Sequence, residues 1–123
     1  MTPSRPAALI VEDQPFVGLV ASDILRESGF ETFHAFDAAD AKAVLDEHPE
    51  IEVVVTDADL HGASAGVQLA HRVSKERPNV QLVVTAAGDC PSDVPQGARV
   101  LRKPYASGEL KTLVAATSLL ADA

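Results

Sequence analysis

The stretch Ile51-Glu52-Val53-Val54-Val55-Thr56, followed at once by Asp57, decides the fold. β-branched residues are stiff at χ1 and suit an extended chain. A run that stays apolar through successive positions suits a strand covered on both faces, as at the centre of a parallel sheet. Reading outward, the same kind of run recurs at Ala7 to Val11 and at Val80 to Thr85. A shorter one lies at Val100-Leu101, and a mixed polar one at Glu31 to Ala35 suits a sheet edge. Helical spacing fills the gaps. Phe16, Val17, Val20 and Ile24 follow Pro15 and stop at Gly29; Ala38, Ala41, Val44 and Leu45 follow the capping residue Asp37 and stop at Pro49. Val67, Leu69, Ala70 and Val73 stop at Pro78, and Leu110, Leu113, Val114, Thr117 and Leu120 give the last helix its apolar face. Between Gly88 and Gly97 two prolines and two glycines interrupt this rhythm, so the fourth helix is expected to be shortened or absent. Strands alternating with helices require right-handed crossovers and give a five-stranded parallel sheet between helix layers, a three-layer α/β sandwich.

With 123 residues, 46% hydrophobic and 23% charged, the chain reads as one globular domain over 1–123. A net charge of −8 argues against a nucleic-acid surface, since duplex affinity comes largely from Lys and Arg on phosphates. Aromatic residues at 4% and the absence of Trp leave little for base stacking. The single Cys90 excludes a disulfide framework or a thiolate metal cage. The first apolar run, Ala7 to Val11, is too short for a signal peptide or a membrane span, so a soluble cytoplasmic protein with no membrane partner is expected.

In an open parallel sheet the reactive crevice lies outside the carboxyl ends of the strands. Glu12 and Asp13 follow the first strand, Asp57 the third, Thr85 ends the fourth and Lys103-Pro104 follows the fifth. Carboxylates crowded at one rim repel one another, and a bound divalent cation is the common remedy; all-oxygen ligands suit Mg²⁺. Lys103 and the Thr85 hydroxyl could neutralise a phosphoryl group while a carboxylate acts as nucleophile. Each residue also has a plainer reading. Asp13 could cap the helix at Pro15, Asp57 could cap a loop turn, Thr85 is an ordinary strand residue, and Lys103 could be a solvated charge. The joint arrangement is more specific than any member.

The pieces Leu9-Ile10-Val11-Glu12-Asp13, Val53-Val54-Val55-Thr56-Asp57, Val83-Val84-Thr85-Ala86 and Lys103-Pro104 resemble, in order and spacing, the receiver domain of two-component response regulators. The resemblance runs from Ala7 to about Leu120, which leaves no room for an output domain and implies a stand-alone receiver. It implies a flavodoxin-like strand order 2-1-3-4-5 and a cis Lys103-Pro104 bond. It further implies phosphoryl transfer to Asp57 from the phosphohistidine of a histidine kinase or histidine phosphotransfer protein. Mg²⁺ would be held by Glu12, Asp13, Asp57 and the backbone carbonyl of Asp59. Thr85 would be the switch hydroxyl, with Ala86 leaving room for the phosphoryl group, and Lys103 would pair with a phosphoryl oxygen. Asp59 and Ala87 stand where receivers set the lifetime of the acyl phosphate. The chain departs from the pattern at Val100, where an aromatic residue is usual, at His61, where proline is common, and in the short segment between Thr85 and Lys103. These departures resemble atypical stand-alone receivers of alphaproteobacteria. The only tyrosine, Tyr105, follows Lys103-Pro104.

The reading that follows is a phosphoacceptor that is not a turnover enzyme. Beyond self-phosphorylation and self-dephosphorylation it works through an unidentified downstream protein, or as relay shuttle or phosphate sink. One alternative is a receiver-like interaction module that never uses phosphate; the other is a small Mg²⁺-dependent phosphohydrolase, for which Asp59 stands two residues after the nucleophile. His34, His48, His61 and His71 show no paired metal spacing and read as surface histidines. Cys90 reads as an exposed thiol beside acids.

Overall fold

A computed structural model describes residues 6–60, 65–89 and 91–122, with side chains through Val114. His61, Cys90 and the side chains of Thr117 and Leu120 fall outside the described residues. The elements are β1 (Ala7–Val11), α1 (Pro15–Glu27), β2 (Glu31–Ala35), α2 (Ala38–Glu47), β3 (Ile51–Asp57), α3 (Ala65–Glu76), β4 (Gln81–Ala86), β5 (Arg99–Arg102) and α4 (Ser107–Asp122). All strand pairs are parallel and the order is β2-β1-β3-β4-β5. This is the flavodoxin-like arrangement that the sequence resemblance implies.

Alternation along the strands sends their side chains into two cores. Leu9, Val11, Val54 and Val84 pack with Ala41, Leu45, Ala70 and Val73 of α2 and α3 on one face. Ala8, Ile10, Val53, Val55 and Val83 pack with Ala21, Leu25, Leu110 and Val114 of α1 and α4 on the other. β1 is buried at every position, which is why its sequence is unbroken by polar residues, whereas the edge strand β2 is exposed or half-buried until Ala35.

The element boundaries have local causes. α1 ends in a Schellman motif: Gly29, at φ +97°, donates its N–H to Arg26 and Phe30 donates to Leu25, while the rings and methyls of Phe30 and Leu25 share one core. Asp37 caps α2 by accepting the Asp40 N–H at 2.8 Å. The N-cap of α1 is Gln14, whose side chain makes no capping bond, so Asp13 does not take the capping position its sequence suggested. Among the described residues no helix separates β4 from β5. Val94 and Ala98 of that segment pack on the α2/α3 core instead, Pro95 is buried, and His71 of α3 donates from Nε2 to the Asp93 carbonyl at 3.0 Å.

Arg77, just past α3, ties three elements together. Its guanidinium donates to the carbonyls of Leu45, His48, Pro49 and Ile51 at 2.8–3.4 Å, closing the end of α2 and the start of β3. Hydrogen bonds from a charged donor contribute more than neutral ones, so Arg77→Met is expected to lower stability by about 2 kcal/mol in chemical denaturation. Arg77→Lys should recover only part of this, because one ammonium cannot span all four oxygens.

Candidate functional site

The parallel register delivers the polar residues to one rim. Val11 pairs with Thr56, Thr56 with Val84, and one step further Asp57 pairs with Thr85 and Thr85 with Leu101. Asp57 and Thr85 are therefore neighbours in one row, one residue beyond the expected end of β3 at Thr56. The ladders run on into the loops: Ala58 donates to the Thr85 carbonyl at 2.8 Å, Lys103 to Ala86 at 2.7 Å, and Glu12 to Ala35 at 3.0 Å. Each loop that carries a candidate residue thus leaves the sheet with its first peptide already fixed. The Lys103-Pro104 bond is cis.

Carboxylate oxygens of Glu12, Asp13 and Asp57 lie within 4.8 Å of one another. Glu12 and Asp57 are buried and Asp13 is half-buried. The Lys103 ammonium stands 2.8 Å from Glu12 Oε2 and 3.4 Å from Asp57 Oδ1. Burial pushes the Glu12 carboxyl above its usual value, against the pull of the Lys103 contact, and the Asp57 charge adds to the rise. Burial alone would lower the Lys103 ammonium, but its bond to Glu12 and the Asp57 charge hold it above its usual value. The two directions have different origins: burial dominates at Glu12, whereas at Lys103 the two carboxylates of Glu12 and Asp57 together outweigh burial.

The donor set is oxygen only and carries a surplus of negative charge, which fits a hard divalent cation such as Mg²⁺. Asp59 is exposed and stays outside the carboxylate cluster among the described residues; its backbone N–H lies 3.5 Å from Asp57 Oδ1, at the limit of a hydrogen bond. Thr85 is buried and lines, with Glu12, Asp57, Val17, Ala21 and Tyr105, a cavity of about 10 Å³, roughly the space of one water. Tyr105 is half-buried against the α1/α4 core, and burial raises its hydroxyl pKa. Val100 pairs with Val84, one row away from Asp57 and Thr85.

His34 departs from its sequence reading. Its imidazole is half-buried, and its Nε2 lies 3.1 Å from the Glu12 carbonyl oxygen. Nothing in its own neighbourhood, Glu31 to Ala35, signals that contact, which joins residues 22 positions apart.

Because the folded state holds Glu12 at a raised pKa, the native chain binds more protons there than the unfolded chain in the window above 4.5. The contribution of this carboxyl to stability therefore falls as pH rises from 4.5 through its raised value, and levels off above it. Glu12→Gln should flatten that part of the stability profile measured without divalent ions by urea unfolding at stepped pH.

Residues 8–115 match the sequence profile described as Response regulator receiver domain. No curated protein matches the chain. Among solved structures, the receiver domain of NtrX from Brucella abortus is 25% identical, with 89% of this chain and 96% of that chain covered and a TM-score of 0.80. A response regulator receiver protein from Sinorhizobium medicae WSM419 is 24% identical, covers 90% and 92%, and has a TM-score of 0.82. NtrX from Brucella abortus in complex with ADP is 24% identical with a TM-score of 0.80; the match takes in 94% of this chain and only 26% of that one. No helix among the described residues is long and apolar enough to cross a membrane.

Proposed function

The chain belongs to the response regulator receiver domain family, and from that premise we propose that it accepts a phosphoryl group on Asp57 from the phosphohistidine of a histidine kinase or histidine phosphotransfer protein. The observation that carries the proposal is the placing of the Lys103 ammonium at 2.8 Å from Glu12 and 3.4 Å from Asp57 within a cluster of three carboxylates. An exposed structural ion pair has no need of that crowding, and burying like charges is costly unless a partner offsets them. Glu12, Asp13 and Asp57 would hold the divalent ion, with the Asp59 carbonyl as a further oxygen; the ion supplies positive charge to the transferring group. In the transfer an Asp57 carboxylate oxygen forms the bond to phosphorus. The phosphorus–nitrogen bond of the donor breaks, and the imidazole nitrogen leaves with the electron pair and takes a proton from solvent. Lys103 pairs with a phosphoryl oxygen, and the Thr85 hydroxyl, beside Asp57 in the same row, donates to another. Hydrolysis by water returns the carboxylate and releases inorganic phosphate.

The signal then passes through protein contacts in the cytoplasm, to a downstream protein or along a relay, and no foreign substrate is turned over. Tyr105 and Thr85 line one cavity, so movement of the hydroxyl toward a phosphoryl group alters the surroundings of that ring. The chain has one Tyr and no Trp, so emission excited at tyrosine, beyond the absorption of Phe, reports that ring alone. The test is incubation with acetyl phosphate and Mg²⁺. The expected result is one added phosphoryl group by intact mass, removed by hydroxylamine as an acyl phosphate is, with a change in tyrosine emission and no adduct when EDTA replaces Mg²⁺. A chain that remains unmodified at saturating donor overturns the reading.

A further inference from the structure

We propose that His34 is a positioning residue for the acid pair, a role resting on the reading of Glu12 and Asp13 as the divalent-ion site. Both backbone polar groups of Glu12 are held by consecutive residues of the edge strand β2: its N–H donates to the Ala35 carbonyl at 3.0 Å, and its carbonyl accepts from His34 Nε2 at 3.1 Å. That carbonyl belongs to the peptide joining Glu12 to Asp13. Turning this peptide swings the Asp13 carboxylate, so a donor on its oxygen sets where Asp13 stands relative to Asp57.

The ring is itself seated. It lies against Gly18 of α1, where an added Cβ would come within 2.3 Å of Cε1 and 2.4 Å of Nε2, and it also meets the Phe36 ring at a centroid distance of 4.5 Å. Glycine inside a helix is ordinarily less favourable than alanine. At Gly18 the missing side chain is what admits the imidazole, so helix, edge strand and acid-bearing loop meet at one hydrogen bond.

Three variants and one spectrum test this. In the parent, long-range ¹H–¹⁵N correlation should find neutral His34 protonated on Nε2. His34→Leu removes the donor, and Gly18→Ala displaces the ring while leaving its chemistry intact. Both should shift the Glu12 carbonyl and Asp13 amide resonances and weaken Mg²⁺ binding, titrated by NMR, by about fivefold or more, as outer contacts of metal ligands generally do. His34→Gln, which restores an N–H at similar reach, should return Mg²⁺ affinity to within about twofold of the parent, a rescue that loss of packing alone would not produce. The inference is overturned if His34→Leu and Gly18→Ala bind Mg²⁺ as the parent does, or if the parent carries the proton on Nδ1. Should the parent bind no Mg²⁺, the phosphoacceptor reading fails by itself; the tautomer and the Glu12 carbonyl shift then decide the role of His34.

Discussion

Asp57→Asn is expected to take up no phosphoryl group from any donor and, without divalent ions, to unfold at a higher temperature than the parent. The loss is complete because the amide carries no negative oxygen to attack phosphorus, although its shape is nearly unchanged. The gain in stability comes from the same charge. Asp57 is buried, and its carboxylate lies within 4.8 Å of those of Glu12 and Asp13. Unit charges about 4 Å apart interact by about 4 kcal/mol at an effective dielectric near 20, and two such repulsions are set against one attraction to Lys103 at 3.4 Å. Lys103 keeps its shorter contact to Glu12 at 2.8 Å when Asp57 is neutralised, so no buried ammonium is orphaned. After the lost pairing is set against the relieved repulsion, a net gain of about 1 kcal/mol is expected, or roughly 4 °C in unfolding midpoint. Millimolar Mg²⁺ should raise the parent's midpoint and leave the variant's almost unchanged, since a ligand stabilises only the state that binds it. Phosphorylation surviving in Asp57→Asn would place the acceptor on another residue. A lower midpoint would mean that the Lys103 pair outweighs the crowding.

The two signs of this prediction explain why the rim could be read from the sequence. Parallel strands end at the same level, so a polar residue just after an apolar run is carried to a shared edge whatever lies between the runs; Glu12, Asp13, Asp57, Thr85 and Lys103 are all of this kind. The end of β3 was harder to place. Asp57 looks like a loop residue, but Thr85 lies beside it in register and the ladder includes it. The break between β4 and β5 was visible because proline and glycine act locally. Contacts that depend on which side chains meet across the core left no periodic trace. His34 reaching Glu12, Arg77 reaching four carbonyls of another segment, and Tyr105 turning into the cavity beside Thr85 each join residues whose own neighbours in sequence are silent about it. Asp13 as a helix cap was the mirror case, a local signal overridden because Gln14 takes the capping position.

Gly66→Ala is expected to be the most damaging single methyl that can be added to the described glycines. A Cβ there would stand 1.6 Å from the Asp57 carbonyl oxygen, 2.6 Å from its carbon and 2.9 Å from the Ala58 carbonyl carbon. Those atoms are backbone, so no rotamer change relieves the overlap. The peptide after Asp57 is also held from the far side, where Ala58 donates to the Thr85 carbonyl at 2.8 Å. The first turn of α3 must therefore retreat, and Val67, Ala70 and Val73 lose part of their packing on the α2/α3 core. Overpacking ordinarily costs 1–3 kcal/mol, and a clash with fixed backbone belongs at or beyond the upper end, so a loss of about 3 kcal/mol or more is expected in urea unfolding. Gly88→Ala is the matched control, because a Cβ there meets nothing within 4 Å and φ is not positive. In the folded fraction of Gly66→Ala, phosphoryl uptake should fall as well, since the helix backs away from the peptide that aims the Asp57 carboxylate. A variant of near-parental stability with normal uptake would show that α3 can slide without disturbing Asp57, and that the rim is positioned by the sheet alone.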